Sequence, residues 1–418
     1  MTRFLSPGRS FVVGFLLIAM VLGAQEPMNW SARLSDGITA IKSGHTAEAI
    51  QLLLPLSEQA KAFLPDDVRR AESTLVLGTA YHYHGQLDQA ESLYREAIQW
   101  LEPRGERRPA MLAVAFDNLG SLRLAQARWQ EAEELLGKAR GLYTKTRNAG
   151  DPHIVHINRL LGESYLGQGR IADAVQVLEG VVETLRESPD AAPSAVAAAL
   201  RSLATAYTVQ ARYPAAEALL EESLRINREA GQAPLELADG MLALGHVCLL
   251  ERDTARAMPL LEKAARTFEM NDDSHLAGAL SELGAAALQD GKYAIAKEYL
   301  GRALDINRKL FGWDHVAMAL IQGGLAEAYF GERDYNQAEA VIQQAIAIGQ
   351  TSVGKAHFSL ARLLLVEATI EAKQRRGSEA DAHYRQALDI YRRTFAPDHP
   401  DLVKAQREYA QFTEGLRK

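Results

Sequence analysis

An alanine returns at a nearly fixed interval along this 418-residue chain, at Ala49, Ala90, Ala132, Ala174, Ala216, Ala257, Ala296, Ala338 and Ala380. The steps are 41, 42, 42, 42, 41, 39, 42 and 42 residues, so one structural unit is copied end to end. Thirteen residues before the alanine stands a leucine, usually followed by a small residue: Leu77-Gly78, Leu119-Gly120, Leu161-Gly162, Leu203-Ala204, Leu244-Gly245, Leu283-Gly284 and Leu325-Ala326. Four residues after that leucine come Tyr81, Tyr165, Tyr207 or Tyr329, and seven after the alanine come Ala97, Ala139, Ala264, Ala303, Ala345 or Ala387. Such spacings mark one face of a helix. Between the two blocks lie Gly85, Gly169 and Gly291, where glycine supplies the left-handed conformation that ends a helix. Each unit therefore reads as helix, tight turn, helix, and the fold class is all-α: a solenoid of about nine hairpins.

The register places the units near 30–62, 68–102, 109–146, 152–187, 194–230, 234–270, 274–310, 315–350 and 355–395. They form a single expected solenoid over 25–418, closed by a capping helix at 400–416. That helix has a narrow apolar stripe of Leu402, Ala405, Tyr409 and Phe412, as a terminal cap needs. Several junctions carry an aspartate and a histidine: Asp151-Pro152-His153, Asp273-Ser274-His275, Asp314-His315 and Asp398-His399-Pro400. Aspartate suits the free amides of a helix start, so a capping role is expected. The last unit departs from the pattern, with Glu367 and Glu371 where Leu and Tyr belong.

A net charge of -7 without a long single-sign run gives no electrostatic footprint for nucleic acid. The first 24 residues stand outside the repeat: Arg3 and Arg9 precede an apolar run from Phe11 to Ala24, followed by Gln25-Glu26-Pro27. This pattern describes a signal peptide cleaved after Ala24, and hence an exported, periplasmic or secreted protein with no membrane insertion afterwards. Left uncleaved, the same run would serve as an anchor. The single cysteine, Cys248, falls on the tyrosine position of the repeat and reads as packing. Neither a phosphate-binding G-x-x-x-x-G-K-[ST] loop nor an H-E-x-x-H zinc helix is present, and His153 with His156 is too few ligands for a zinc site. No catalytic, cofactor or metal residue is assigned, and no enzyme activity is expected.

The pattern of Leu77, Gly78, Tyr81, Ala90, Tyr94 and Ala97 resembles the tetratricopeptide repeat family, whose usual repeat is 34 residues. The longer unit and the Asp398-His399-Pro400 junction are similar to the kinesin-light-chain type of that repeat. The resemblance implies a right-handed superhelix whose first helices line a concave groove for a peptide or protein segment. It also implies that Asn118, directly before Leu119-Gly120, meets a bound peptide backbone; the equivalent position in other units is not asparagine. Helix geometry directs the positions two before and two after the leucine to the same face. This yields Asp117 and Ser121, Arg159 and Glu163, Arg201 and Thr205, and His246 as candidate groove residues. Arg159 and Arg201 suit a ligand carboxylate, unless Arg159 and Glu163 pair with each other across one turn. The expected function is a non-enzymatic interaction scaffold or adaptor with a protein or peptide partner. The alternative is a peptide-sensing regulatory module that passes a change of solenoid shape to another protein.

Overall fold

The computed structural model describes residues 29–416 apart from 106, 146, 232, 233 and 272. The expected signal peptide at 1–24 lies outside these residues. Nineteen α-helices and no strand occur among the described residues. In chain order they are α1 (Asn29–Lys42), α2 (Thr46–Lys61), α3 (Arg69–Tyr83), α4 (Leu87–Leu101), α5 (Pro109–Ala125), α6 (Trp129–Tyr143), α7 (Pro152–Gly167), α8 (Ile171–Glu187) and α9 (Pro193–Val209). There follow α10 (Tyr213–Glu229), α11 (Pro234–Leu250), α12 (Thr254–Met270), α13 (Leu276–Gln289), α14 (Tyr293–Phe311), α15 (Val316–Gly331), α16 (Tyr335–Val353), α17 (Phe358–Lys373), α18 (Gly377–Thr394) and α19 (Pro400–Leu416). The first eighteen pair into nine hairpins, as the repeat predicts, and α19 follows the last of them. None of the described helices is long and apolar enough to cross a membrane.

The helices fall into two compact units, an N-terminal one of 29–164 with 180–198 and a C-terminal one of 165–179 with 199–416. In both, the repeated alanine is completely buried at the hairpin crossing, as at Ala90, Ala132, Ala257 and Ala296. The residue four positions later on the second helix presses on the small residue after the first-helix leucine. A Cβ added at Gly120 would fall 2.8 Å from Leu136 Cγ, and one added at Gly284 would fall 2.6 Å from Leu300 Cγ. Glycine is kept there because the helices approach too closely for a methyl group, not for its backbone freedom.

The turns share one geometry that glycine alone does not mark. Five residues before each repeated alanine the backbone turns left-handed, at Gly44, Gly85, Gly169 and Gly291 but equally at Ala127, Ala211, Arg252, Arg333 and Arg375. The next residue donates its N–H to the carbonyl five residues back, as from Gln86 to Tyr81 (2.9 Å), Asp253 to Cys248 (2.9 Å) and Arg376 to Glu371 (2.9 Å). This is a Schellman closure, and it holds the alanines and arginines in the left-handed region despite a cost of roughly 1–2 kcal/mol each.

The junctions correct part of the sequence expectation. Asp151 and Asp273 do accept the N–H groups of His153 (2.9 Å) and His275 (2.8 Å). At Asp314-His315 and Asp398-His399, however, the histidine is the capping residue: the Nδ1 atoms of His315 and His399 accept from the N–H of Ala317 and Asp401, each at 3.2 Å. His357, in the same register, caps Ser359 likewise at 3.2 Å. An Nδ1 that accepts leaves the proton on Nε2. In the C-terminal unit that proton reaches a distant turn of the chain. His357 Nε2 donates to the carbonyl of Gly167 (2.8 Å) and His399 Nε2 to that of Val209 (2.9 Å), both 190 residues away in sequence. Gly167 and Val209 end α7 and α9, so these donors satisfy carbonyls that a helix end leaves open.

Two outcomes follow. Gly284→Ala should lower stability by about 1–3 kcal/mol through overpacking against Leu300. Gly301→Ala, on the facing α14 with no atom within 4 Å of the added Cβ, should raise it by about 0.5–1 kcal/mol, both read by urea denaturation. Burial holds the His357 ring neutral, its pKa lowered from 6.5 to about 4, with the Gly167 carbonyl pulling the other way. Between these pH values the unfolded chain binds the proton and the folded chain does not, so stability should fall as pH drops through that window, by up to about 3 kcal/mol. His357→Asn, which keeps a capping side chain but loses the tie to Gly167, should flatten this dependence in thermal melts at pH 7 and 4.5.

Candidate peptide-binding face

The first helices of the hairpins are buried on most of their circumference, and at the candidate groove positions the buried or half-buried side chains are polar. In the N-terminal unit these are Asp117, Asn118 and Ser121 on α5 and His156, Arg159 and Glu163 on α7. Arg159 ion-pairs with Glu163 through Nη1 and Oε1, both side chains being almost wholly buried. The i,i+4 pairing weighed from sequence is thus the one present, and Arg159 is engaged within its own helix. Arg159 Nη2 also approaches His156 Nδ1 at 3.4 Å. The guanidinium can only donate, so the imidazole proton sits on Nε2, which faces Asp117 Oδ1 at 3.7 Å.

That separation is too long for a hydrogen bond, and Asp117 Oδ1, buried, has no hydrogen-bond partner among the described residues. Burial pushes the Asp117 carboxyl up from 3.8 to about 7, with the Arg159 charge opposing. Burial also holds His156 well below 6.5, with Arg159 and His153 adding to the fall. A neutral histidine thus faces a carboxyl that exchanges its proton near neutrality. Asn118 Nδ2 donates weakly to Thr79 Oγ1 on α3 at 3.4 Å, and Ser121 is buried.

In the C-terminal unit the corresponding residues are Arg201 and Thr205 on α9 and His246 on α11. Thr205 Oγ1 donates back to the Arg201 carbonyl at 3.0 Å, which turns the hydroxyl into its own helix. Arg201 lies 3.6 Å from Asp239 Oδ2 on α11, an ion pair without a close hydrogen bond, and remains partly exposed. His246 Nδ1 lies 2.8 Å from Glu282 Oε1 on α13. Asp239 and Glu282 were not singled out in the sequence, and His275 only as a junction residue; Asp239 sits beside Arg201, Glu282 beside His246, and His275 lies 3.7 Å from Asp239. Glu282 stands directly before Leu283, the register place of Asn118, whereas Asp239 and His275 fall outside the offsets that give the other candidate positions.

Arg201 is therefore the more available of the two candidate arginines, and Asp117 is the acceptor that lacks a donor. No described arrangement here brings a nucleophile, a base and an orienting group together. What the face offers is ionic and hydrogen-bonding recognition. Because the folded state holds the Asp117 proton between pH 3.8 and about 7, its stabilising contribution is present in acid and is lost as pH rises through 7. Asp117→Asn should accordingly raise stability by roughly 2–4 kcal/mol at pH 8 and leave it nearly unchanged at pH 4, in paired thermal melts.

Comparison with known proteins agrees with this architecture. Two tetratricopeptide repeat family models match, one over residues 111–187 and 275–351 and the other over 196–230 and 368–401. Among curated proteins, kinesin light chain-related protein 3 of Arabidopsis thaliana is 21% identical over 57% of the chain and kinesin light chain-related protein 2 is 24% identical over 27%. The matches span only 37% and 17% of those relatives' own lengths. Among solved structures, a Rap protein complexed with Competence and Sporulation Factor superposes with a TM-score of 0.61 at 14% identity, covering 92% of this chain and 99% of that one. The apo form of the quorum sensor NprR from B. thuringiensis gives 0.56 at 15% identity, covering 86% and 98%. At these identities the structures speak to fold alone. With its register, its hairpins and the family matches in agreement, the chain belongs to the tetratricopeptide repeat family, with repeats like those of the kinesin light chain-related proteins.

Proposed function

We propose that this protein is an exported, non-enzymatic scaffold that binds a peptide or protein segment on the first-helix faces of its hairpins. The observation that carries this reading is a pair of incompletely satisfied polar side chains on those faces. Asp117 has an acceptor atom with no donor, and Arg201 is held only by a loose ion pair. A buried polar atom without a partner costs about 1–3 kcal/mol, which a ligand donor at Asp117 would recover. A ligand carboxylate at Arg201 would take the place of the 3.6 Å contact with a bidentate one. Export rests on the basic start and apolar run of residues 1–24. Binding without catalysis accords with the family and with a face that supplies recognition groups only.

A second reading is favoured by the fold neighbours: one is a Rap protein in complex with Competence and Sporulation Factor, and another is described as a quorum sensor. On that reading the ligand is a short peptide whose binding changes the shape of the chain. Solution scattering separates the two, since a sensor changes its dimensions with ligand and a scaffold does not.

The test is affinity purification from the envelope fraction under gentle crosslinking, with wild type, Arg201→Ala and Asp117→Asn compared at equal folded amounts. Wild type should retain a specific partner, and each variant should weaken its binding by roughly 10–100-fold, the range for losing a charged hydrogen bond. Recovery of no specific partner, or equal recovery by all three proteins, contradicts the proposal.

A further inference from the structure

The last hairpin breaks the repeat at three positions, and the three side chains meet. Glu367 on α17 takes the place of Leu203, Leu244, Leu283 and Leu325 in the four units before it. Glu371, one turn later, takes that of Tyr207, Cys248, Ala287 and Tyr329. His383 on α18 takes that of Leu219, Leu260, Tyr299 and Val341. Each of these positions is apolar in the other four units because it packs between helices. Here one ligand atom from each residue lies within 4.8 Å of the others. Glu371 Oε2 is 2.8 Å from His383 Nδ1, and Glu367 Oε2 is 3.6 Å from His383 Nε2.

The carboxylates are buried and lack sufficient positive charge. Glu367 is 6% exposed and Glu371 3%. Glu367 receives no hydrogen bond among the described residues, and the nearest group that could carry positive charge is the His383 ring at 3.6 Å. Arg376 lies 4.0 Å from Glu371 Oε1, but its closer partner is Glu339 at 2.8 Å. Three carboxylates thus share one guanidinium, and a neutral imidazole leaves two negative charges uncompensated. Burial pushes the Glu367 carboxyl above the ordinary carboxylate range, with His383 pulling it back and Glu371 adding to the rise. The third hairpin shows how this fold otherwise treats a charge at the tyrosine position. Arg123, fully buried, is met by Glu91 at 2.5 Å and by Glu131 at 3.1 Å. No comparably close cation meets Glu367.

We propose that Glu367, Glu371 and His383 form a binding site for a divalent transition-metal ion. Two carboxylates and an imidazole are a donor set for zinc or a neighbouring first-row ion rather than for magnesium or calcium, which favour oxygen alone. Bond lengths near 2.1 Å place tetrahedral ligands roughly 3.4 Å apart, and one donor atom from each of the three residues already lies within 4.8 Å of the other two, so a small closure of the side chains would complete the site. Both glutamates project from one face of α17, four residues apart, and His383 reaches them from the antiparallel α18, so the ion would clasp the hairpin. Arg376 draws on Glu371 Oε1 and leaves Oε2 directed at the site. His383 is partly exposed and gives solvent access. Three protein ligands leave a coordination position for water or for a side chain of a bound protein.

The test uses the full chain, stripped with a chelator and titrated with zinc chloride by calorimetry, with cobalt(II) absorption as a second readout and magnesium as control. The wild type should bind one equivalent of zinc with a dissociation constant in the micromolar range or tighter, and magnesium should not compete. His383→Leu and Glu367→Leu restore residues used in sister hairpins and should fold normally; each should lose on the order of 100-fold in affinity and abolish the cobalt spectrum. Glu371→Gln, nearly isosteric, guards against a packing artefact and should weaken binding likewise. Absence of stoichiometric zinc binding in wild type, as expected if an imidazolium alone bridges the carboxylates, overturns the proposal. Binding that is undiminished in His383→Leu and Glu367→Leu does so too.

Discussion

Everything in this fold depends on how closely the two helices of a hairpin cross. The repeated alanine is fully buried at the crossing, and the residue after the first-helix leucine has no room for more than a hydrogen or, in two units, a methyl group. A close crossing fixes the turn, so the same left-handed residue and the same five-back hydrogen bond recur whether glycine, alanine or arginine occupies the position. It also fixes which faces remain for the next hairpin. The regular period is the sequence record of that steric demand.

The repeat was legible because small residues at fixed spacing have few other causes. The all-α hairpin architecture followed from it. The turns were legible only where glycine stood, because Arg252, Arg333 and Arg375 adopt the left-handed conformation under tertiary constraint and carry no propensity signal for it. The capping histidines were hidden for a different reason. Aspartate is the stronger statistical cap, and at His315 and His399 an adjacent aspartate drew the assignment, while the carbonyls that the His357 and His399 rings reach lie 190 residues away.

The candidate site was half legible. Register gave the candidate positions, and it gave the Arg159–Glu163 pair as one of two readings. It could not distinguish Arg159, held within its helix, from Arg201, held loosely by the next hairpin, because that difference is one of distance across helices. Glu367 and Glu371 stood out as breaks in the pattern, whereas His383 did not, since its relation to them exists only after α18 folds back on α17. In a repeat protein the polar departures from register carry the individual chemistry, and the apolar agreement carries the fold.

Native-state hydrogen exchange, resolved by residue along the C-terminal unit, tests the primacy of the crossing most directly. The account predicts that the slowest amides of each hairpin cluster around the leucine-small pair and its facing alanine, as around Leu244 and Ala257 or Leu283 and Ala296, with protection falling toward the far helix ends. Uniform protection along the helices, or slowest exchange at the junctions away from the crossings, would contradict it.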